Sequence, residues 1–459
     1  MASLWRNQNE TSILIPTTKE FSNVTYYIIR VCVGEVKWTV KHRYKEFFNL
    51  HNKLVADHGV SKDILPSKKV IGNKSNQFIE TRRKALEEYL QKILIFLKRT
   101  MPKVFVEFLD FHVYDIYFLL QELTLKCSAE IDFIVSSTKT FTMTPLELHA
   151  ISEFLKCPFP EADHLEEPLD LGPILDMCSQ LDSLIVIGSS NDYLQSNIVL
   201  NKLSFDLTPL KIHNTFEMKN LKLNMINSLG SLRTTLNMLK VRYTNAKSIS
   251  DVLQCDVLHK NTLEGSEKWV GLHTLDLSNN NLVEIDLTIA LAENLRCLIL
   301  NDNMISSITN LSHLHKLEEL SIVNNLITVC DQLHMKVGNI KSLNLSQNNI
   351  VSTKAFYKLY SLESLDLSCN KITEVEELKF LSKLPCLENL RLTGNNVSTI
   401  VDYRIKVLEL FGDRAGDICL DSEKPSQPEL DKVSVLSALR VVKEGKTPDL
   451  ALDKSNNLN

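Results

Sequence analysis

Three short stretches near the N-terminus carry residue types suited to gripping an anion. Arg43-Tyr44-Lys45-Glu46-Phe47 comes first, Leu65-Pro66-Ser67-Lys68-Lys69 second, and Arg82, ahead of Leu86 and Tyr89-Leu90, third. Arginine offers a planar fork to two phosphate oxygens, and lysine a compact point charge. Tyr44 beside Arg43 would give a sugar ring an apolar face. Val70 and Ile71 flank the basic loop and could dip into a bilayer interface. Each residue also has a plainer reading. Arg43 can pair with Glu46 on the same helical turn, and Tyr44 can pack in the core. Lys68 and Lys69 can belong to a solvated loop, Arg82 and Arg83 to a charged helix face, and Val70 and Ile71 can anchor the loop. His42 reads as a surface residue.

The charge distribution points the same way. Residues 1–112 hold 19 basic and 11 acidic side chains, and the remaining residues hold 32 and 45, within a net charge of -5. A basic module on an acidic body suggests an anionic partner for the first part only. Nucleic acid is set aside because no interleaved aromatic motif of a nucleic-acid-binding fold occurs. MASLWRNQNE has no signal-peptide pattern, Ala at position 2 excludes myristoylation, and no apolar run approaches 18 residues. Membrane contact is therefore expected to be peripheral. The ten cysteines occur singly and form no CxxC pair, as expected for free thiols in a reducing cytosol. No GxSxG, HExxH or GxGxxG occurs, and Gly445-Lys446-Thr447 lacks the upstream glycine of a phosphate loop. The chain is expected to be no enzyme, and to need neither cofactor nor metal.

The elements around the anion motifs can be read from periodicity. Residues 10 to 42 read as strands, with Val24, Tyr26 and Ile28 alternating and a turn near Gly34-Glu35. Phe47, Leu50 and Leu54 mark a helix. A longer helix over about 77–99 shows the stripe Leu86, Tyr89, Leu90, Ile93, Leu94 and Leu97, and Met101-Pro102 ends it. A short helix over 105–111 closes the unit. The segment 113–175 reads as a helical connector broken by Pro145 and by the acidic stretch 158–168.

From Leu272 the chain repeats. The pattern LxxLxLxxNx(L/I/V) starts at Leu272, Leu295, Leu317, Ile340, Leu362 and Leu387, with asparagines at 280, 303, 325, 348, 370 and 395. Each repeat is a short strand plus a return segment that cannot bury its apolar side alone, so stacking builds the core. The asparagine amide is expected to bond the backbone where the strand turns away. Residues between the core leucines, from Thr274, Asp276 and Ser278 to Asn389, Arg391 and Thr393, are expected on the concave face. Weaker traces (Leu181, Leu184 and Val186, then Leu236, Leu239 and Val241) suggest degenerate repeats or an N-terminal cap over 176–271. The repeats occupy 272–400, a helical cap 401–440 and a disordered tail 441–459.

The order R-Y-x-(D/E)-F, a Pro-containing basic loop and R-x-x-x-L-x-x-(Y/F)-(L/I) resembles the PX family over residues 10–112. The resemblance implies a three-stranded antiparallel sheet plus helices that bind a phosphoinositide. By that resemblance Arg43 grips the 3-phosphate, Tyr44 supports the inositol ring, Lys68 or Lys69 meets the 1-phosphate, and Arg82 bonds the 4- and 5-hydroxyls. Ser67 after a single Pro66 departs from the Pro-richer loop usual in that family. The array resembles the 22-residue leucine-rich-repeat type of regulatory proteins, an α/β solenoid. The fold class expected is thus multidomain α+β. With the cap motif Asp402-Tyr403-Arg404-x-Lys406-Val407-Leu408, the whole order resembles imidazoline-receptor-like scaffolds. That resemblance implies cytoplasmic and endosomal residence, an integrin alpha-subunit tail and Rac-pathway kinases as partners, and control of cell migration. A PX unit that has lost lipid binding is the alternative.

Overall fold

The computed structural model describes residues 11–33, 36–68, 75–98, 100–111, 116, 119–120, 123–127, 140–156, 172–191, 198–257 and 263–443. The chain divides into two compact units, Met1–Ile212 with Asn220–Asn227, and His213–Lys219 with Ser228–Asn459.

The first unit opens on an antiparallel sheet of β1 (Thr11–Phe21), β2 (Val24–Val33) and β3 (Val36–Arg43), in that order. Alternation sends Ile13, Ile15, Tyr27, Ile29, Val31, Trp38 and Val40 into one core. Ser22 and Asn23, both with positive φ, turn β1 into β2. The turn expected at Gly34-Glu35 lies outside the described residues, although Val33 pairs with Val36 across it. β1 loses register between Leu14 and Thr17, where Pro16 has no N–H to give the ladder.

Helix α1 (Tyr44–His58) grows directly from the end of β3 and stops at the left-handed Gly59. Helix α2 (Asn76–Leu97) starts under a Ser75 cap and buries the stripe read from the sequence. Helix α3 (Lys103–Phe108) packs its phenylalanines beneath β3. The Trp38 indole donates to the Leu109 carbonyl at 2.8 Å and meets the Phe111 ring edge-on.

The connector requires a correction, because it is not helical throughout. Strand β4 (Thr140–Met143) lies within it, followed by α4 (Pro145–Lys156) and α5 (Gly172–Ser179). β4 pairs in parallel with β5 (Ser183–Ile187). Its alternation is only four residues long, Phe141 and Met143 facing inward, and such a pattern is too brief to stand out beside helical neighbours. The acidic stretch 158–168 lies outside the described residues. Two short strands, β6 (Phe205–Asp206) and β8 (Ile226–Asn227), complete this unit.

The second unit is a parallel ladder. It runs through β7 (Thr215–Lys219), β9 (Met238–Arg242), β10 (Thr274–Asp276), β11 (Cys297–Ile299), β12 (Glu319–Ser321), β13 (Ser342–Asn344), β14 (Ser364–Asp366), β15 (Asn389–Arg391) and β16 (Cys419–Leu420). Leu239, Leu275, Leu298, Leu320, Leu343, Leu365, Leu390 and Leu420 stand in register at its centre. β7 and β9 extend the ladder upstream of Leu272. The return segments are mostly single 3-10 turns, with short helices α6 (Ser250–Leu253) and α7 (Leu333–Val337).

The residue before each repeat asparagine is left-handed: Asn279, Asp302, Asn324, Gln347, Cys369 and Gly394. At Gly394 a Cβ would also lie 2.8 Å from the Cys369 sulfur, so glycine suits both the backbone and the space. The cap is not purely helical. α8 (Tyr403–Glu409) and α9 (Gln427–Lys443) flank β16, which adds a last strand to the sheet. α9 runs past the boundary expected at residue 440, and residues 444–459 lie outside the described residues.

Candidate anion site of the N-terminal domain

Arg43 has extended backbone (φ -92°, ψ 159°), because it ends β3 and caps α1 in a single step. Tyr44 therefore occupies the first helical position. Glu46, two residues on, accepts the Arg43 N–H at 3.0 Å, closing the first turn. The same carboxylate takes His42 Nδ1 at 3.1 Å and lies 3.3 Å from Arg43 Nε in an ion pair. That pair lacks hydrogen-bond alignment, since Arg43 Nε is buried without a partner. Partial burial by itself would raise the Glu46 carboxyl. The Arg43 amide, the His42 ring and the Arg43 charge together outweigh it and hold the carboxyl below its usual range. His42 is half-buried rather than a surface residue. Its ring stacks on Phe108 at 3.9 Å, and Nε2 reaches the Phe108 carbonyl at 2.6 Å.

Tyr44 hydrogen-bonds the Pro66 carbonyl through its hydroxyl, at 2.5 Å, and so ties α1 to the start of the basic loop. The Arg82 guanidinium covers one face of its ring, with Cζ 4.4 Å from the centroid. Phe78, one turn earlier on α2, lies 4.2 Å from the same carbon. Arg82 also hydrogen-bonds Tyr27 in the core beneath. Burial pushes both tyrosine hydroxyls up in pKa, and the Arg82 charge pulls the other way. Among the described residues Arg82 Nη2 is buried and has no partner.

Arg83 behaves differently. It donates to the Ile15 carbonyl and to Glu80 at 2.9 Å, and stands 3.8 Å from Glu87. Glu87 in turn accepts the Ile15 N–H freed at the β1 irregularity. Arg83 thus fastens α2 to β1, while Arg82 faces Tyr44. Lys68 is exposed two residues after Pro66. Lys69, Val70 and Ile71 lie outside the described residues. Sequence reasoning missed Phe78, although its i, i+4 spacing to Arg82 places both on one helix face.

The concave surface of the array is less free than its sequence suggests. Asp276 is buried under Arg242, whose Nε lies at 3.0 Å, and Ser278 bonds Asp276 in turn. Asn301 accepts from the Ser321 hydroxyl and the Val323 amide. Arg391 stands 3.5 Å from Asp366. A hollow over β13, β14 and β15 is lined by Ser342, Asn344, Ser364, Asp366, Asn389 and Arg391. Among the described residues no group of acidic, histidine and cysteine side chains could hold a metal, and no helix is long and apolar enough to cross a membrane.

The class defined by this architecture is a PX domain followed by a leucine-rich-repeat solenoid. Residues 30–112 match the PX domain family model, and residues 271–290 and 338–397 match leucine rich repeat models. A PX domain is a phosphoinositide-binding module and leucine-rich repeats are protein-interaction modules, so the chain joins one module of each kind.

Among particular proteins, the chain is similar to Sorting nexin-14 of Danio rerio, with 40% identity over 74 residues, 16% of this chain and 8% of that protein. It is also similar to the PX domain-containing protein kinase-like protein of Rattus norvegicus, with 39% identity over 83 residues, 17% of this chain and 14% of that protein. The chain thus spans only a small part of these relatives' length. Among solved structures, a designed CISK-PX domain aligns at 30% identity over 21% of this chain and 97% of its own, with TM-score 0.20. A Leptospira interrogans leucine-rich-repeat protein aligns at 17% identity over 59% of this chain and 62% of its own, with TM-score 0.40.

Proposed function

We propose that this chain is a non-enzymatic, nischarin-like scaffold. Its PX domain holds phosphatidylinositol 3-phosphate on endosomal membranes while its repeats recruit signalling proteins. The observation that carries this reading is the Arg82 guanidinium held against Tyr44, the neighbour of Arg43 in sequence, with Arg82 Nη2 and Arg43 Nε both buried and lacking an aligned hydrogen bond. Guanidinium donors removed from water without acceptors suit an incoming phosphate or hydroxyl oxygen. Arg43 takes the 3-phosphate, exchanging its loose pairing with Glu46 for aligned bonds. Arg82 takes the ring hydroxyls, and Lys68 or Lys69 the 1-phosphate. The array then seats a protein, an integrin alpha-subunit tail or a Rac-pathway kinase, which links the membrane signal to cell migration.

The test is retention of the full chain on liposomes carrying each phosphoinositide in turn. A charge-assisted contact contributes about 1.5–3 kcal/mol, so Arg43→Ala should weaken binding roughly 10- to 150-fold. Selective retention on phosphatidylinositol 3-phosphate, lost in Arg43→Ala, supports the reading. Retention on no vesicle would overturn its lipid half and leave the PX unit as a packing or protein-binding module.

A further inference from the structure

We propose that Phe78 is a positioning residue of this site. With Tyr44 it forms an aromatic clamp of two rings that holds the Arg82 guanidinium and sets its free donor toward a headgroup. The proposal rests on the phosphoinositide reading above and assigns a role to a residue outside the recognised motif.

The two walls are held independently. Phe78 sits in the first turn of α2, where its N–H points to the Ser75 hydroxyl at 3.4 Å. Tyr44 sits at the start of α1, and Pro66 pins its hydroxyl. The Arg82 carbon lies 4.2 Å from the Phe78 ring centroid and 4.4 Å from that of Tyr44, both within cation–π range. A guanidinium held against two rings cannot swing away from them without losing both contacts. Its hydrogens lie in its own plane, so the clamp directs them.

The outcome is visible at Nη2, which is buried and without a hydrogen-bond partner among the described residues. Arg83, one position on, shows the contrast, because all its reach is spent on Ile15, Glu80 and Glu87. A donor held in place, desolvated and unmatched is arranged for an oxygen arriving in the guanidinium plane, such as a hydroxyl or phosphate oxygen of an inositol headgroup. Preorganisation of this kind raises affinity by removing the cost of ordering the side chain on binding.

The test compares wild type, Phe78→Leu and Phe78→Tyr in the full chain on phosphatidylinositol 3-phosphate vesicles. Leucine retains apolar bulk but removes the ring, and binding should weaken about 10-fold. Tyrosine restores a face and should bind within about 2-fold of wild type. In an Arg82→Ala background Phe78→Leu should have no further effect, because Phe78 acts through Arg82. Binding unchanged in Phe78→Leu, no rescue by tyrosine, or an equal loss in the Arg82→Ala background would each overturn the proposal.

A second readout needs no lipid. The Arg82 side-chain Nε–H resonance, assigned by its loss in Arg82→Lys, should be shifted upfield by the two rings and should relax in Phe78→Leu. Absence of that shift overturns the clamp itself. Its presence in a chain that no phosphoinositide vesicle retains would overturn the headgroup reading and leave the clamp as packing alone.

Discussion

Asn348 satisfies four backbone groups with one amide. Its Nδ2 donates to the carbonyls of Ile322, Leu345 and Ser346, and its Oδ1 accepts from the Ile327 N–H at 3.0 Å. Two of the four belong to the preceding repeat, so the side chain is a rung between neighbours as well as a turn bond. Asn303, Asn325, Asn370 and Asn395 reach back in the same way. Asn348→Ala would strand the Ile322 carbonyl and the Ile327 amide in the core. At about 1–3 kcal/mol for each, the loss should be about 2–6 kcal/mol. Asn348→Asp keeps the acceptor for the Ile327 N–H but turns an oxygen on the carbonyls and adds a buried charge, whose cost should cancel that gain. Denaturant unfolding of the three proteins measures it. The sequence pointed to the asparagine and its turn. The reach into the preceding repeat was not legible, because it depends on how closely two strands stack.

The cap shows an element held by charge. Arg404 on α8 meets Glu429 on α9 at 2.8 Å and also bonds the Leu420 carbonyl of β16. The Arg404 guanidinium first, and then the Ser426 amide, hold the Glu429 carboxyl down at about 2. A carboxylate with a depressed folded pKa stabilises the fold above its unfolded value near 4.5, and that contribution fades as pH falls toward 2. Loss of α9 helicity between about pH 4.5 and 2 is therefore expected in wild type. Glu429→Gln should flatten that acid transition and should leave α9 weaker at neutral pH. Hydrogen exchange of α9 amides across the titration decides it, and an unchanged transition in the glutamine variant would refute the assignment. Elements with long stripes, such as α2, were readable from periodicity. β4 was not, because four alternating residues gain their meaning only from pairing with β5.

At the scale of the whole molecule, a solenoid is stable only while both ends of its core are covered. Arg414 shields the last repeats by donating to the carbonyls of Leu384 and Leu387 at 2.6 and 2.7 Å, and Tyr403 bonds Asp421 at 2.9 Å. Deleting residues 401–443 should open Leu390, Leu392 and Val397 to water. Protection should then be lost first in β15 and β14 and recover progressively toward β10. Uniform loss across the array would instead indicate that the repeats unfold as one block. The PX domain has different needs. In the proposed lipid binding, the surplus of basic side chains over residues 1–112 would supply general attraction, and a few oriented donors the grip.

What the sequence determined by itself is periodic or ordered along the chain. The repeat length, the six asparagines, the core leucines and the PX-like succession of arginine, Pro-containing basic loop and arginine all follow from local pattern, because strand and turn geometry repeat at fixed spacing. The tertiary structure decided which member of an adjacent pair does what. Successive helix positions point about 100° apart, so the placement of β1 against α2 claims Arg83 and leaves Arg82 to Tyr44 and Phe78. It likewise turned Asp276 from a surface carboxylate into the buried partner of Arg242. Such choices depend on packing between residues far apart in the chain, and no local spacing encodes them.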